Sequence, residues 1–246
     1  MFSKSLLQEK INQDFKNKNF ILTGYSSGIG SQIYKHLLNL GANLILIGRK
    51  SKKKTNFYRC DLTNGLLLEK VIKKISKKYK RIDGFVHSAG MNQCLLSEKI
   101  SLSNWQNIMS VNLTSAFIIS KEIKKNLKKS NNSSIVFISS IAGHRKSVVS
   151  GAHYVASKAA LMGLSRQLSH EFGKDGIRVN CVSPSQTLTK MLKKSMNKSQ
   201  ISRLVKNIPV GRLANVEEQS SGVIFLLSSF SKYISGTSLN IDGGQV

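Results

Sequence analysis

At 246 residues with 40% hydrophobic side chains, the chain can bury the core of a single α/β domain, and its three cysteines (Cys60, Cys94, Cys181) lie too far apart for a CxxC or metal-ligand pattern. They read as reduced core thiols of a cytoplasmic protein, and no apolar run approaches the roughly 20 residues that span a bilayer. The net charge of +26 points toward acidic partners, yet the lysines are scattered over several segments without interleaved aromatics, which argues for a solvated surface and against a specific nucleic-acid surface.

Residues 1–18 (MFSKSLLQEKINQDFKNK) mix charges, include Glu9 and Asp14, and lack the apolar core of a secretory signal. They are expected to form an extension preceding a single domain over residues 19–246. Asn19–Thr23 is a short β-prone run, followed by GYSSGIG and an amphipathic helix through Leu40. Strand, glycine turn and helix together suit a pyrophosphate. Gly24, Gly28 and Gly30 let the backbone approach it, and the anion sits at the helix N-terminus. A second strand, Asn43–Ile47, ends in Gly48-Arg49-Lys50, where an NAD site carries an acidic residue for the ribose 2′-hydroxyl. Two cations in that place suit a 2′-phosphate, so NADPH is favoured; a solvated basic loop is the plainer reading, since KSKKK continues the run. Phe57–Cys60 is a third strand, ending at Asp61. The loop before it falls short of the dozen or more residues of a parallel crossover, so the connecting helix is expected to be missing and the adenine side open.

Leu66–Tyr79 reads as a helix and Gly84–His87 as a buried strand opening into Ser88-Ala89-Gly90. Leu102–Leu127 reads as one long helix with Asn112 in a mostly apolar stretch, where a buried amide needs partners. Ile135–Ile138 is a strand delivering Ser139 and Ser140 at its C-terminal end, the edge at which open parallel sheets bind ligands. The helix His153–Phe172 carries Tyr154 and Lys158 one turn apart on one face. A tyrosine hydroxyl titrates at about 10, and a lysine ammonium one turn away is expected to pull that value down and make proton transfer usable. Ile177–Val182 is a strand ending in Ser183-Pro184-Ser185. Thr189–Asn207 reads as a lysine-rich helix, Val216–Ser228 as a final helix and Ser238–Ile241 as a last strand before Asp242-Gly243-Gly244. This alternation implies a single-domain, Rossmann-like, doubly wound parallel sheet with helices on both faces. His87, His144 and His153 read as ordinary polar residues, and no metal is expected.

In order along the chain, TGYSSGIG (Thr23–Gly30), Asp61, Ala89–Gly90, Asn112, Ser140, YVASK (Tyr154–Lys158), Asn180 and the terminal IDGG together resemble the short-chain dehydrogenase/reductase family. RVNCVSP, IPVGRL and GTSLNIDGG are similar to the 3-oxoacyl-(acyl-carrier-protein) reductases within it, although relatives sharing those phrases act on other ketones, alcohols and surface sugars. The resemblance implies an NADPH-dependent ketoreductase. Ser140 and Tyr154 would bind the substrate carbonyl oxygen, with Tyr154 giving the proton. Lys158 would hold the nicotinamide ribose and lower the tyrosine pKa, and Asn112 would anchor a water that relays protons from Lys158. Cofactor contacts would come from Gly24, Ser27, Gly28, Ile29 and Gly30 in the glycine turn and from Arg49 after the second strand. Asp61 and Leu62 would meet the adenine, Ala89 and Gly90 the middle of the cofactor, and Thr187 and Thr189 the nicotinamide. The resemblance also implies a substrate loop over about 185–212 and a homotetramer (or homodimer) built on the Leu102–Leu127 and His153–Phe172 helices.

Acyl carrier proteins are acidic, so Lys124, Lys125, Lys128 and Lys129 are the expected docking patch. Two departures from the family pattern bear on structure. Ser88 stands where the family has Asn, which is expected to cost a hydrogen bond across the sheet, and Ser185 replaces a glycine, which would strain it if its φ were positive. Two alternatives come from other classes. The intact Ser140, Tyr154, Lys158 and Asn112 set argues against a cofactor-binding regulator without turnover, and the scattered lysines argue against a charge-driven nucleic-acid binder.

Overall fold

Short apolar runs such as NFILT, NLILIG and SIVFI suit strands covered on both faces, and they form the centre of one parallel sheet. The computed structural model describes residues 4–50, 56–189, 192 and 197–246. In chain order the strands are β1 (Asn19–Thr23), β2 (Asn43–Gly48), β3 (Phe57–Arg59), β4 (Gly84–His87), β5 (Ser134–Ile138), β6 (Arg178–Pro184) and β7 (Ser238–Ile241). They lie side by side as β3-β2-β1-β4-β5-β6-β7, with every pair parallel. The chain winds outward from β1, returns to its other side at β4 and winds outward again. The switch point therefore falls between β1 and β4, where connections diverge and leave a crevice at the strand C-termini. Register there is tightly specified, because Phe20 pairs with Gly84 and a Cβ on Gly84 would stand 2.7 Å from the Phe20 ring.

The helices are α1 (Lys4–Phe15), α2 (Gly28–Asn39), α3 (Gly65–Lys78), α4 (Leu102–Met109), α5 (Ser115–Leu127), α6 (Ala152–Gly173), α7 (Lys198–Val205) and α8 (Val216–Leu227). Alternate strand residues divide between two layers. On one face Ile21, Phe85 and Ile135 pack with Ile72 of α3, Ile119 of α5 and Leu161 of α6. On the other, Leu22, Val86 and Val136 pack with Phe15 of α1, Leu37 of α2 and Leu226 of α8. These side chains are buried, and each such burial contributes about 1.5–3 kcal/mol over the exposed state. Packing of this kind holds the strand C-termini, and hence the crevice, in place.

Three elements differ from the sequence expectation. Residues 1–18 carry helix α1, which the mixed charges concealed. Its Phe15 is fully buried and stacks on Phe20 with centroids 5.7 Å apart, and Asp14 accepts from Ser229 N at 2.8 Å and Asn132 Nδ2 at 3.1 Å. The expected single helix Leu102–Leu127 is two, joined by a π-helical turn at Ser110–Thr114. Such an i→i+5 turn leaves a carbonyl open to side-chain donors. Val111 O takes them from His87 Nε2 at 3.1 Å and Ser115 Oγ at 2.8 Å. In the Thr189–Asn207 segment, the regular helix is α7. Residues 190, 191 and 193–196 lie outside the described residues, as do Lys52–Lys54 of the basic run. Of the three cysteines expected in the core, Cys60 and Cys181 are buried, while Cys94, in the irregular stretch after β4, is exposed.

Candidate active site

The crevice at the switch point is a cleft of about 1430 Å³, walled by the loops that follow β1, β2, β4, β5 and β6. At its centre the turn after β1 passes within contact of the loop after β4. A Cβ on Gly24 would overlap Ser88 and Ala89 N, and one on Gly30 would overlap the carbonyl of Gly24. Gly24 also has φ 72°, so glycine is required there for both space and backbone. Ser27 precedes the first turn of α2, and Ser27, Gly28 and Ile29 all line the cleft. A cradle that any side chain would fill, opening onto a helix N-terminus, fits a dinucleotide pyrophosphate. Across the cleft Thr189 reaches this turn, its Cγ2 3.5 Å from where a Cβ on Gly28 would stand.

At one end of the cleft lie Arg49, Asp61 and Leu62. Asp61 Oδ1 accepts from Thr63 N at 3.0 Å and Thr63 Oγ1 at 2.9 Å. Those bonds, chiefly the backbone one, with the nearby Arg49 charge hold the carboxyl below its ordinary range. At the other end are Ser140, Tyr154 and Lys158, joined by Ala89 and Gly90. Ser140 Oγ accepts from Ala142 N at 3.1 Å, which leaves the hydroxyl proton free to donate. Lys158 is 4% exposed and its Nζ donates to Ile138 O at 2.7 Å, 5.6 Å from the Tyr154 ring. Burial pushes the Lys158 ammonium down to about 8.

The expectation that Lys158 pulls Tyr154 down is not met. Burial raises the phenol above its usual value, and the neighbouring Ser140 hydroxyl opposes that only in part. Desolvation penalises both charged forms at once, which one-turn spacing along a helix cannot reveal. Asn112 Oδ1 accepts from Met91 N at 2.8 Å, while its Nδ2 donates to Met91 O at 3.0 Å and Ser157 Oγ at 2.9 Å. Its Oδ1 keeps a second lone pair. Both Oδ1 and Lys158 Nζ lie within 4 Å of where a Cβ on Gly90 would stand.

The strain considered for Ser185 is absent. Ser185 does not have a positive φ, since among the described non-glycine residues only Asn17 does, and its N–H bonds Ile241 O at 3.2 Å. Thr187 Oγ1 caps the same loop by donating to Ser185 O at 2.9 Å. Next to Ser88, His87 makes a link across the sheet. Since Val111 O only accepts, His87 Nε2 carries the proton and Nδ1 accepts from Thr23 Oγ1 at 3.0 Å. Thr23 Oγ1 in turn accepts from Ala89 N at 3.3 Å. Burial pushes His87 down to about 3, so it stays neutral and ties β1, β4 and the π turn together. Asn180 serves the fold similarly, bonding Ile234 O at 2.8 Å and Thr237 N at 3.1 Å.

Sequence reasoning passed over Arg145 and Lys146, which line the substrate side. Their place between the strand-end serine and the tyrosine helix was the available signal. The cleft is cationic throughout: Arg49, Lys50, Arg59, Arg145, Lys146 and Lys158 line it, against Asp61 alone among the described carboxylates. The expected docking lysines lie elsewhere. Lys124 and Lys128 bond Asp175 at 3.2 and 2.7 Å. The end of α5 sits beside Ile82, whose N–H bonds Asn126 O at 3.2 Å just before β4 begins. That is the N-terminal edge of the sheet, about 20 Å along the strand from the cleft. Helix α5 runs antiparallel to the strands, so a position late in the helix is necessarily far from their C-termini.

The profile of the family described as Enoyl-(Acyl carrier protein) reductase matches residues 24–245. The chain is 31% identical over 243 residues to 3-oxoacyl-(acyl-carrier-protein) reductase FabG of Chlamydia trachomatis, covering 93% of this chain and 97% of that protein. A structure described as an NAD(P)-dependent gluconate 5-dehydrogenase from Beutenbergia cavernae, with NADP bound, superposes with TM-score 0.87 at 26% identity, covering 94% of this chain and 97% of the other. A 4-hydroxyisoleucine dehydrogenase complexed with NADH gives TM-score 0.87 at 28% identity, covering 94% and 99%.

Proposed function

The chain belongs to the short-chain dehydrogenase/reductase family of NAD(P)-dependent oxidoreductases acting on CH–OH and C=O groups, and we propose that it is a cytoplasmic, NADPH-dependent ketoreductase that reduces a 3-oxoacyl thioester to the 3-hydroxyacyl product. The observation that carries the reading is the convergence of Ser140, Tyr154 and Lys158 at one end of a cationic cleft whose glycine cradle fits a pyrophosphate. The similarity to a 3-oxoacyl-(acyl-carrier-protein) reductase supports the substrate, and Arg49 with Lys50 at the end of β2 supports the 2′-phosphate.

When bound, the reduced nicotinamide supplies hydride to the carbonyl carbon. Ser140, with one lone pair engaged by Ala142 N, would donate a hydrogen bond to the carbonyl oxygen and keep its proton. Tyr154, kept protonated by burial, donates a second hydrogen bond and then the proton itself as negative charge develops on that oxygen. Lys158, held at one N–H by Ile138 O, would offer its remaining N–H groups to the ribose hydroxyls and a neighbouring water, and as a cation it would favour the tyrosinate left behind. Asn112 Oδ1, anchored on Met91, would hold a water that links Lys158 to solvent for proton relay.

A sugar or other small ketone is the second reading. The polar lining at the substrate end favours it, where Asn92 Nδ2 bonds Ser150 Oγ at 3.2 Å, and so does the likeness to a gluconate dehydrogenase. NADPH consumption against a panel of 3-oxoacyl thioesters, sugar ketones and simple ketones separates the two. Turnover of the thioesters at least tenfold above the others is expected. Turnover confined to sugars would replace the acyl reading, and none with any ketone would end both.

A further inference from the structure

Strands β2 and β3 are parallel neighbours at one corner of the sheet, and their connection, residues 49–56, is shorter than the dozen or more residues that a crossover with a helix takes. An aromatic group covers this corner. Tyr25, 8% exposed, packs in the layer of Leu44 and Leu46 with its ring centroid 6.3 Å from Tyr34 and 6.5 Å from Phe57. The ring stands against Gly48, where a Cβ would lie 3.4 Å from Tyr25 Cε1. Its hydroxyl then reaches past the strand end and donates to the carbonyl of Lys50 at 2.8 Å. A residue of the glycine turn after β1 therefore grips the backbone directly after Arg49, on the neighbouring strand. Arg49 and Lys50 both line the cleft, and Arg49 is close enough to Asp61 to lower its pKa.

We propose that Tyr25 is the positioning residue for cofactor choice. By fixing the Lys50 carbonyl it holds Arg49 and Lys50 ready for a ribose 2′-phosphate, a service that a full crossover would draw from its connecting helix. This rests on the NADPH reading above. The physical reason is ordering entropy. Without the tyrosine hydroxyl, the backbone at Arg49 and Lys50 must be ordered by the phosphate as it binds, and that cost reduces affinity for the phosphorylated nucleotide only. NADH makes no demand on the pose of Arg49.

The test is calorimetric titration of the full-length protein and its Tyr25→Phe variant with NADPH and with NADH, alongside thermal unfolding. The ring and its packing are kept, so the unfolding midpoint is expected to stay put. The Kd for NADPH should rise about fivefold, as for loss of one neutral hydrogen bond, and that for NADH should change by less than about twofold. In an Arg49→Ala, Lys50→Ala background, adding Tyr25→Phe should change the NADPH Kd no further, because the residues act through one another. Equal weakening of both nucleotides, an unchanged NADPH Kd, or a full effect in the double-alanine background would each overturn the proposal. The reading beneath it is judged on the unmutated protein. Equal wild-type affinity for NADPH and NADH removes that reading and the proposal with it, whereas a wild-type preference left undiminished in Tyr25→Phe removes the proposal alone.

Discussion

Tyr154 and Lys158 share one environment, and burial acts on them in opposite directions. The phenol is pushed up and the ammonium down to about 8, so near neutral pH the tyrosine holds the proton that reduction requires while the lysine is still mostly charged. Tyr154→Phe should leave NADPH binding intact and lower turnover by about 10²-fold or more. Near-normal turnover would remove Tyr154 as the proton donor. Lys158→Ala should damage both turnover and cofactor affinity, because one ammonium serves both.

The same shift sets a pH dependence. Between about 8 and 10.5 the folded protein has released a proton that the unfolded chain still binds, so this group makes stability rise with pH across that window. Activity runs the other way. Since the cation is the working form, kcat/KM for reduction should fall as pH rises through about 8, and a profile flat to pH 10 would show that Lys158 does not titrate in the free protein.

At the scale of elements, the site depends on two connections that lie away from it. The π turn at Ser110–Thr114 orients Asn112, and neutral His87 holds that turn to β1 through Thr23. At the opposite edge α1 is fastened by Phe15 and Asp14. Beside Asp14, the buried Arg178 caps the C-terminus of α8, donating to Leu226 O at 2.8 Å and Ser228 O at 3.2 Å. Arg178 also feels the Asp14 charge, although burial dominates and lowers it to about 10. Phe15→Ala should cost about 3–5 kcal/mol of unfolding free energy in a denaturant titration, as for other buried phenylalanines. A loss below about 1 kcal/mol would mean that α1 is not integral to the fold.

Across the whole molecule, the cationic cleft and the +26 net charge make association with anionic substrates fast at low salt. The KM for a carrier-protein thioester should therefore rise between low and physiological ionic strength, where screening sets in beyond about 8 Å, while that for a short uncharged thioester analogue stays level. Equal salt dependence for both would separate the charge from substrate capture. Apolar surface on the helices also bears on assembly. Trp105 of α4 and Phe117 of α5 are 38% and 44% exposed, and light scattering is expected to show a tetramer or dimer rather than a monomer at micromolar concentration.

The order of the strands, the helices between them apart from α1 and the break at the π turn, the glycine turn, the serine at the end of β5 and the Tyr154–Lys158 pair were legible from the chain alone. Each is written in local spacing, through apolar runs for strands, helical periodicity for one face, and glycines where backbone must come close. Contacts between distant segments carry no such signature. The hydroxyl of Tyr25 on Lys50, His87 on the carbonyl of Val111, and Asp14 on Ser229 join residues whose separation in sequence says nothing of their neighbourhood. Helix direction took the α5 lysines to the wrong edge of the sheet. Desolvation likewise depends on every element packed around a group, so the fold alone decided that burial would outweigh the Ser140 hydroxyl in setting the proton affinity of Tyr154.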